Sequence, residues 1–169
     1  MLVYTGTKKK FGSDVADGNI ARIIQEEFRK KHIASPSENE FVSWDNSLVE
    51  MNHILRDPSF DDDIQVAIEY QIPQTSKRVD FIIAGQNGLQ QESVVIVELK
   101  QWQSATRTSR HGVVSAFTGG RLRAVAHPSY QAYSYAKTIE NYNATVQDEN
   151  IRITPCAYLH NFLSGSYGE

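Results

Sequence analysis

An α/β fold is predicted for this chain, with core element order α-β-β-β-α-β and a mixed central sheet flanked by helices. Three observations predict it. Val66, Ile68, Tyr70 and Ile72 alternate with Gln65, Ala67, Glu69 and Gln71, the period-two pattern of a half-buried strand. Residues 94–97, Val-Val-Ile-Val, are continuously apolar, as in a strand covered on both faces. Segments with apolar residues at helical spacing lie before and after these strands.

Taken in order, Asp17 and Gly18 precede Ile20, Ile23, Ile24 and Phe28, which predicts an amphipathic helix running to about His32 with Arg22, Glu26, Arg29 and Lys30 on its solvent face. Ala34 to Glu40 reads as a linker containing Ser and Pro. A second helix places Trp44, Leu48, Met51 and Leu55 on one face and stops near Asp57-Pro58. The first strand follows, and Pro-Gln-Thr-Ser turns it into a second strand, Lys77 to Ala84. A polar connection, Gly85 to Glu92, leads to the third strand, Ser93 to Lys100. Gln103 to Arg123 is rich in Ser, Thr, Arg and Gly with weak periodicity, the reading of a mobile insertion. Pro128 opens a long helix to about Gln147, with Tyr130, Tyr133, Ala136, Ile139 and Tyr142 as its packed stripe. Ile151 to Leu159 is the fourth strand.

At 169 residues and 40% hydrophobic content the chain suits one domain, 1–169. Within it, 1–40 is expected to be an N-terminal helical extension, 44–161 the core, and 162–169 a tail or the start of a truncated C-terminal region. A single cysteine, Cys156, excludes an internal disulfide and a thiolate zinc cluster. No apolar run approaches the ~18 residues of a membrane span, so a cytoplasmic protein without a membrane partner is expected. With a net charge of −3, contact with a polyanion must use local groups, among Lys8, Lys9, Lys10, Lys77, Arg78, Arg107, Arg110, Arg121 and Arg123.

The chemistry gathers at the strand ends. Period two puts Glu98 and Lys100 on one side of the third strand, with Val97 and Leu99 on the other. Alone, acid-x-Lys is a common surface ion pair. Here Asp80 on the second strand and Gln131 and Tyr135, four apart on the following helix, extend the set. His32, His53, His111, His127 and His160 make no H-x₃-H or H-E-x-x-H group, and no G-x-S-x-G occurs, which leaves zinc hydrolysis and a serine nucleophile elbow without support.

Asp80 with Glu98-x-Lys100, and Gln131-x-x-x-Tyr135 after them, resemble the signature of the PD-(D/E)xK nuclease superfamily and the QxxxY element of its RecB-like branch. The phrases IEYQIPQTSKRVDFIIAG, VIVELKQW, HPSYQAYSYAKTIENYN and CAYLHN are similar to the nuclease-like domain that precedes a Schlafen-like P-loop helicase in bacterial proteins, over about Trp44 to Asn161. The resemblance implies a restriction-endonuclease-like core and a Mg²⁺-dependent nuclease acting on DNA, with Mn²⁺ as a substitute, in a helicase-linked or defence-related protein. No G-x-x-x-x-G-K-[ST] occurs, so any motor would lie beyond residue 169. The alternatives are a catalytically inactive nuclease-fold module that binds nucleic acid or a partner protein, and a restriction-type endonuclease subunit.

On this resemblance Asp80, Glu98 and the backbone carbonyl of Leu99 supply hard oxygens to the metal, while Lys100 holds or deprotonates the attacking water and offsets charge on the phosphate. Gln131 and Tyr135 are expected to support the lysine and the nucleic-acid backbone, with Lys77, Arg78, Arg107 and Arg110 as further nucleic-acid contacts. Glu50, on the helix before the first strand, is the choice for a fourth catalytic acid, with Glu27 and Glu69 as weaker rivals. His127 before Pro128 is a phosphate contact or, more simply, a cap. Trp102 offers a stacking plane, although an aromatic in that position more often packs.

Overall fold

The computed structural model describes residues 2–32, 38–162 and 167–168. Its strands β2 (Gln65–Gln71), β3 (Arg78–Gln86) and β4 (Glu92–Lys100) lie within two residues of the boundaries that alternation predicts. They follow two amphipathic helices, α2 (Ile20–Lys30) and α3 (Glu38–Leu55), and precede α4 (Pro128–Tyr142) and β8 (Arg152–Leu159). The predicted linker at Ala34 to Glu40 falls partly outside the described residues, and from Glu38 onward it is already helix.

The described residues of the predicted N-terminal extension, 2–32 and 38–40, are built into the domain. They contribute a short strand, β1 (Tyr4–Thr7), paired antiparallel with β2 at Tyr4↔Ile68, and a helix, α1 (Lys8–Ala16), whose start is capped by the Thr7 hydroxyl accepting from Lys10 N–H. Phe11 of α1 is fully buried and meets Phe81 edge-on at 5.4 Å. One core therefore joins Phe11, Ile24, Phe28, Leu48, Met51 and Leu55 of the helices to Val66, Ile68, Phe81 and Val97 of the sheet.

The sheet order is β1-β2-β3-β4-β8, antiparallel except for the parallel pair β4–β8. Parallel neighbours need a crossover, and α4 supplies it on the sheet face opposite α1–α3. Its Tyr135, Ala136 and Ile139 pack on Ile72, Val79, Ile96 and Ile153. The predicted stripe is corrected here. Tyr130, Tyr133 and Tyr142 are exposed, and the buried face runs through Pro128, Ala132, Tyr135, Ala136 and Ile139. Successive i+3 steps drift by about 60° around a 3.6-residue helix, so they cannot hold one face for four steps. The helix also ends sooner than predicted, at Tyr142, where Asn143 caps a separate short helix, α5 (Ala144–Asp148), by accepting from Val146 N–H at 3.1 Å.

Residues 103–123 are not an unstructured insertion. They form β5 (Ala105–Arg107), β6 (Val113–Thr118) and the start of β7 (Arg121–Ala126), joined with β9 (Tyr167–Gly168) in a second sheet of order β7-β6-β5-β9. Gly119 and Gly120, both at positive φ, make the two-residue turn between β6 and β7 that only such residues adopt without strain. Of the predicted tail, residues 163–166 and 169 lie outside the described residues, while Tyr167 and Gly168 pair parallel with β5. Among the described residues no helix is long and apolar enough to cross a membrane.

Candidate active site

The β2–β3 hairpin changes face midway, and the site forms where it does so. Ile68 and Phe81, a registered pair, pack in the core under α1–α3, whereas the next registered pair, Tyr70 and Val79, packs with α4. Residues two apart on a flat strand share a face, so the strands must twist at the residues between, Glu69 and Asp80. Glu69 takes up this twist at φ 56°, a region costly for a residue with a Cβ, and its buried carboxylate is held 3.1 Å from Arg78 Nη1.

The same point is where β3 and β4 part. Their pairing ends at Phe81↔Val97, while β4 stays paired with β8 as far as Lys100↔Leu159. Asp80 fills the split, its Oδ2 accepting the Leu99 N–H at 2.9 Å. The N–H and C=O of one strand residue point the same way, so the Leu99 carbonyl also faces this split. Glu98 and Lys100, on the α4 side, form a buried ion pair through Glu98 Oε1. That oxygen also accepts from Gln131 Nε2 at 2.5 Å, and the amide nitrogen lies 3.0 Å from the Tyr135 hydroxyl. Glu98 Oε2 is buried with no hydrogen-bond partner.

An orphaned carboxylate oxygen beside a second carboxylate is electrostatically costly. Burial, with the Asp80 charge next, pushes the Glu98 carboxyl up to about 8 despite Lys100. Burial also raises Asp80, against the pull of Lys100 and the Leu99 N–H. For Lys100, burial works to lower its pKa, and the two carboxylates together outweigh it, so the ammonium is held protonated. Two hard-oxygen donors that resist ionising beside one another, with one oxygen open, fit a divalent cation better than they fit one another. Among the described residues no third His, Cys, Asp or Glu completes a three-ligand group with them.

The structure therefore brings Asp80, Glu98, Lys100, Gln131 and Tyr135 together, but it does not bring Glu50. That carboxylate lies 3.6 Å from His53 Nδ1 and, after burial, its charge is what raises Tyr158. Tyr158 is registered with Leu99 on the α3 face, across the sheet from Glu98 and Lys100. Glu27 pairs with Lys30 and Lys31 at the surface of α2. Arg78 is not free for a nucleic-acid backbone, because Glu69 holds it and its guanidinium stacks on Phe28 at 5.5 Å. Tyr135 is also a correction. Its ring is 8% exposed and belongs to the core, so only its hydroxyl reaches the site. Lys77 is exposed, with its ammonium 5.7 Å from the Tyr135 ring centre.

Arg107 and Arg110 are exposed near the start of α4. Arg107 lines a cavity of about 690 Å³ with Trp102, His127, Ala157 and Leu159, the last two being the β8 neighbours of Glu98 and Lys100. His127 caps α4, its Nδ1 accepting from Ser129 N–H at 3.2 Å. One supporting residue escapes the motif: Gln101 donates to Ser43 O at 2.6 Å and ties the end of β4 to α3, while Ser47 Oγ, 3.0 Å from His160 Nε2, ties the end of β8 to the same helix. The strand parity of Gln101 with Leu99 was the available signal.

Because Gln131 orients Glu98 from a half-buried helix position, Gln131→Ala is expected to change unfolding stability by no more than about 1 kcal/mol. Denaturant titration checks this, and a larger loss would make the residue structural. Comparison of the chain with protein-family models, curated proteins and solved structures finds no match.

Proposed function

We propose that this chain is a metal-dependent nuclease domain of the PD-(D/E)xK type that hydrolyses phosphodiester bonds of DNA. The single observation that carries the reading is the buried, unpartnered Glu98 Oε2 set against Asp80, with a protonated Lys100 on the other oxygen. Asp80, Glu98 and the Leu99 carbonyl would hold Mg²⁺, or Mn²⁺ in its place. When bound, such an ion polarises a phosphoryl oxygen and makes water a stronger acid.

The remaining work falls to the chain's own groups. Lys100, kept charged by its two carboxylates, donates hydrogen bonds and positive charge to the phosphate oxygens and does not remove a proton. Gln131, braced by the Tyr135 hydroxyl, fixes the Glu98 rotamer. Lys77, Arg107 and Arg110 are exposed cations available to the DNA backbone. The sequence resemblance extends the reading to a helicase-linked or defence-related cytoplasmic protein, in which any P-loop motor would lie outside these residues.

Incubation with linear, nicked, single-stranded and branched DNA in Mg²⁺ or Mn²⁺ tests the proposal. Cleavage that chelation abolishes is the expected result. DNA binding without cleavage on any substrate would instead favour a silent nucleic-acid-binding module.

A further inference from the structure

The second sheet carries a charge pattern unlike the rest of the molecule. Residues 103–127 hold four arginines and no Asp or Glu, in a chain whose net charge is −3. They also expose apolar side chains. At the end of the β6–β7 hairpin, Phe117 and Leu122 are a registered pair, 64% and 69% exposed. Parity separates the two kinds of residue. Phe117 and Leu122 share one face, while Arg121 and Arg123 lie on the other with Thr118 and Ala116. The Gly119-Gly120 turn keeps the end narrow, and a Cβ at Gly119 would come within 3.2 Å of Arg123 Nη2, so that guanidinium lies over the turn. The hairpin is anchored at its base by His127 N–H donating to Gly112 O at 2.8 Å, and its six-residue arms reach roughly 20 Å from there.

We propose that this hairpin is a strand-separating pin and that the substrate is a duplex end or fork. Phe117 and Leu122 stack against the terminal base pair, since an exposed aromatic–aliphatic pair gains most against a flat apolar surface. Arg121 and Arg123 hold phosphates of the strand led away, for which planar guanidinium groups are suited. That strand then passes Arg107 and His127 in the cavity beside Ala157 and Leu159. Only this last step rests on the nuclease reading. Charge selects the occupant: a second copy of this net-acidic chain would have to place an acidic patch here and cover Phe117 and Leu122 together.

The test uses a blunt DNA duplex with 2-aminopurine at its terminal or an interior pair, in chelator without metal. Wild type is expected to raise terminal fluorescence about threefold and leave the interior probe unchanged. Phe117→Ser/Leu122→Ser should bind within about fivefold of wild type yet lose that rise. Arg121→Ala/Arg123→Ala should weaken binding at least tenfold and reduce the salt slope by about two. The pin is overturned if wild type fails to bind the duplex, binds it without the terminal rise, or keeps the rise in the Phe117→Ser/Leu122→Ser variant. It is overturned equally if the apolar pair governs self-association in sedimentation, or binding to phosphatidylglycerol vesicles, in place of the fluorescence change. A terminal rise with no cleavage in Mg²⁺ retires the nuclease reading and leaves the pin, while cleavage without the rise does the reverse.

Discussion

Asp80→Asn is expected to lower Mg²⁺-dependent DNA cleavage by at least about 10³-fold while leaving the fold intact. The amide keeps an oxygen that can accept the Leu99 N–H, the bond that fills the split between β3 and β4, so the change isolates charge from architecture. Asp80→Ala removes both, and a loss of stability should accompany its loss of activity. Lys100→Ala behaves differently. It removes no metal ligand, so Mg²⁺ affinity should hold or rise as the competing ammonium disappears, whereas cleavage should fall by about 10²–10³-fold. Calorimetric Mg²⁺ titration in parallel with cleavage separates the roles. Equal metal affinity in Asp80→Asn and wild type would sink the assignment of Asp80 as a ligand.

Glu98→Gln is expected to inactivate the chain and, in metal-free buffer, to make it more stable. Glu98 is 2% exposed, and its carboxyl is raised from an unfolded value near 4.5 to about 8. Between those limits the folded chain binds more protons than the unfolded chain, so the slope of unfolding free energy with pH is negative. Stability from this group is fully present below about pH 4.5 and is lost as pH rises to about 8. A neutral amide keeps an acceptor for Gln131 and Lys100 without that loss. At pH 8 the variant should gain on the order of 1–3 kcal/mol, roughly 3–8 °C in Tm, and at pH 4.5 the gain should vanish. Saturating Mg²⁺ should erase the difference by stabilising wild type alone. A pH-independent difference in Tm would show that packing, not ionisation, sets the effect.

Local pattern carried much of this structure. The strand pattern at residues 65–71 and 78–86 was readable because each strand is covered unequally on its two faces, and the Glu98-x-Lys100 spacing guaranteed a shared side. Gln131 and Tyr135 were readable as one group because a helix stacks i and i+4. The pattern was silent where elements are short or two-sided. β1 has four residues, α1 buries Phe11 alone, and β6–β7 exposes apolar side chains to solvent, so no period separates an inside from an outside. Glu50 was misplaced because motif order says which helix precedes a strand but not which sheet face that helix covers.

By itself, the sequence determined the three central strands, the crossover helix and the residue types that would share an edge, because backbone periodicity is a local property. The tertiary structure alone decided how Asp80 meets Glu98. Pairing continued past Phe81↔Val97 would have set the two carboxylates opposite one another on the α4 face. The twist at Glu69 and Asp80 and the parting of β3 from β4 turn a carboxylate into the sheet plane, and burial from both layers then leaves Glu98 Oε2 without a partner. Desolvation depends on everything packed around an atom, and for that reason the charge state of this site cannot be read from the spacing of its residues.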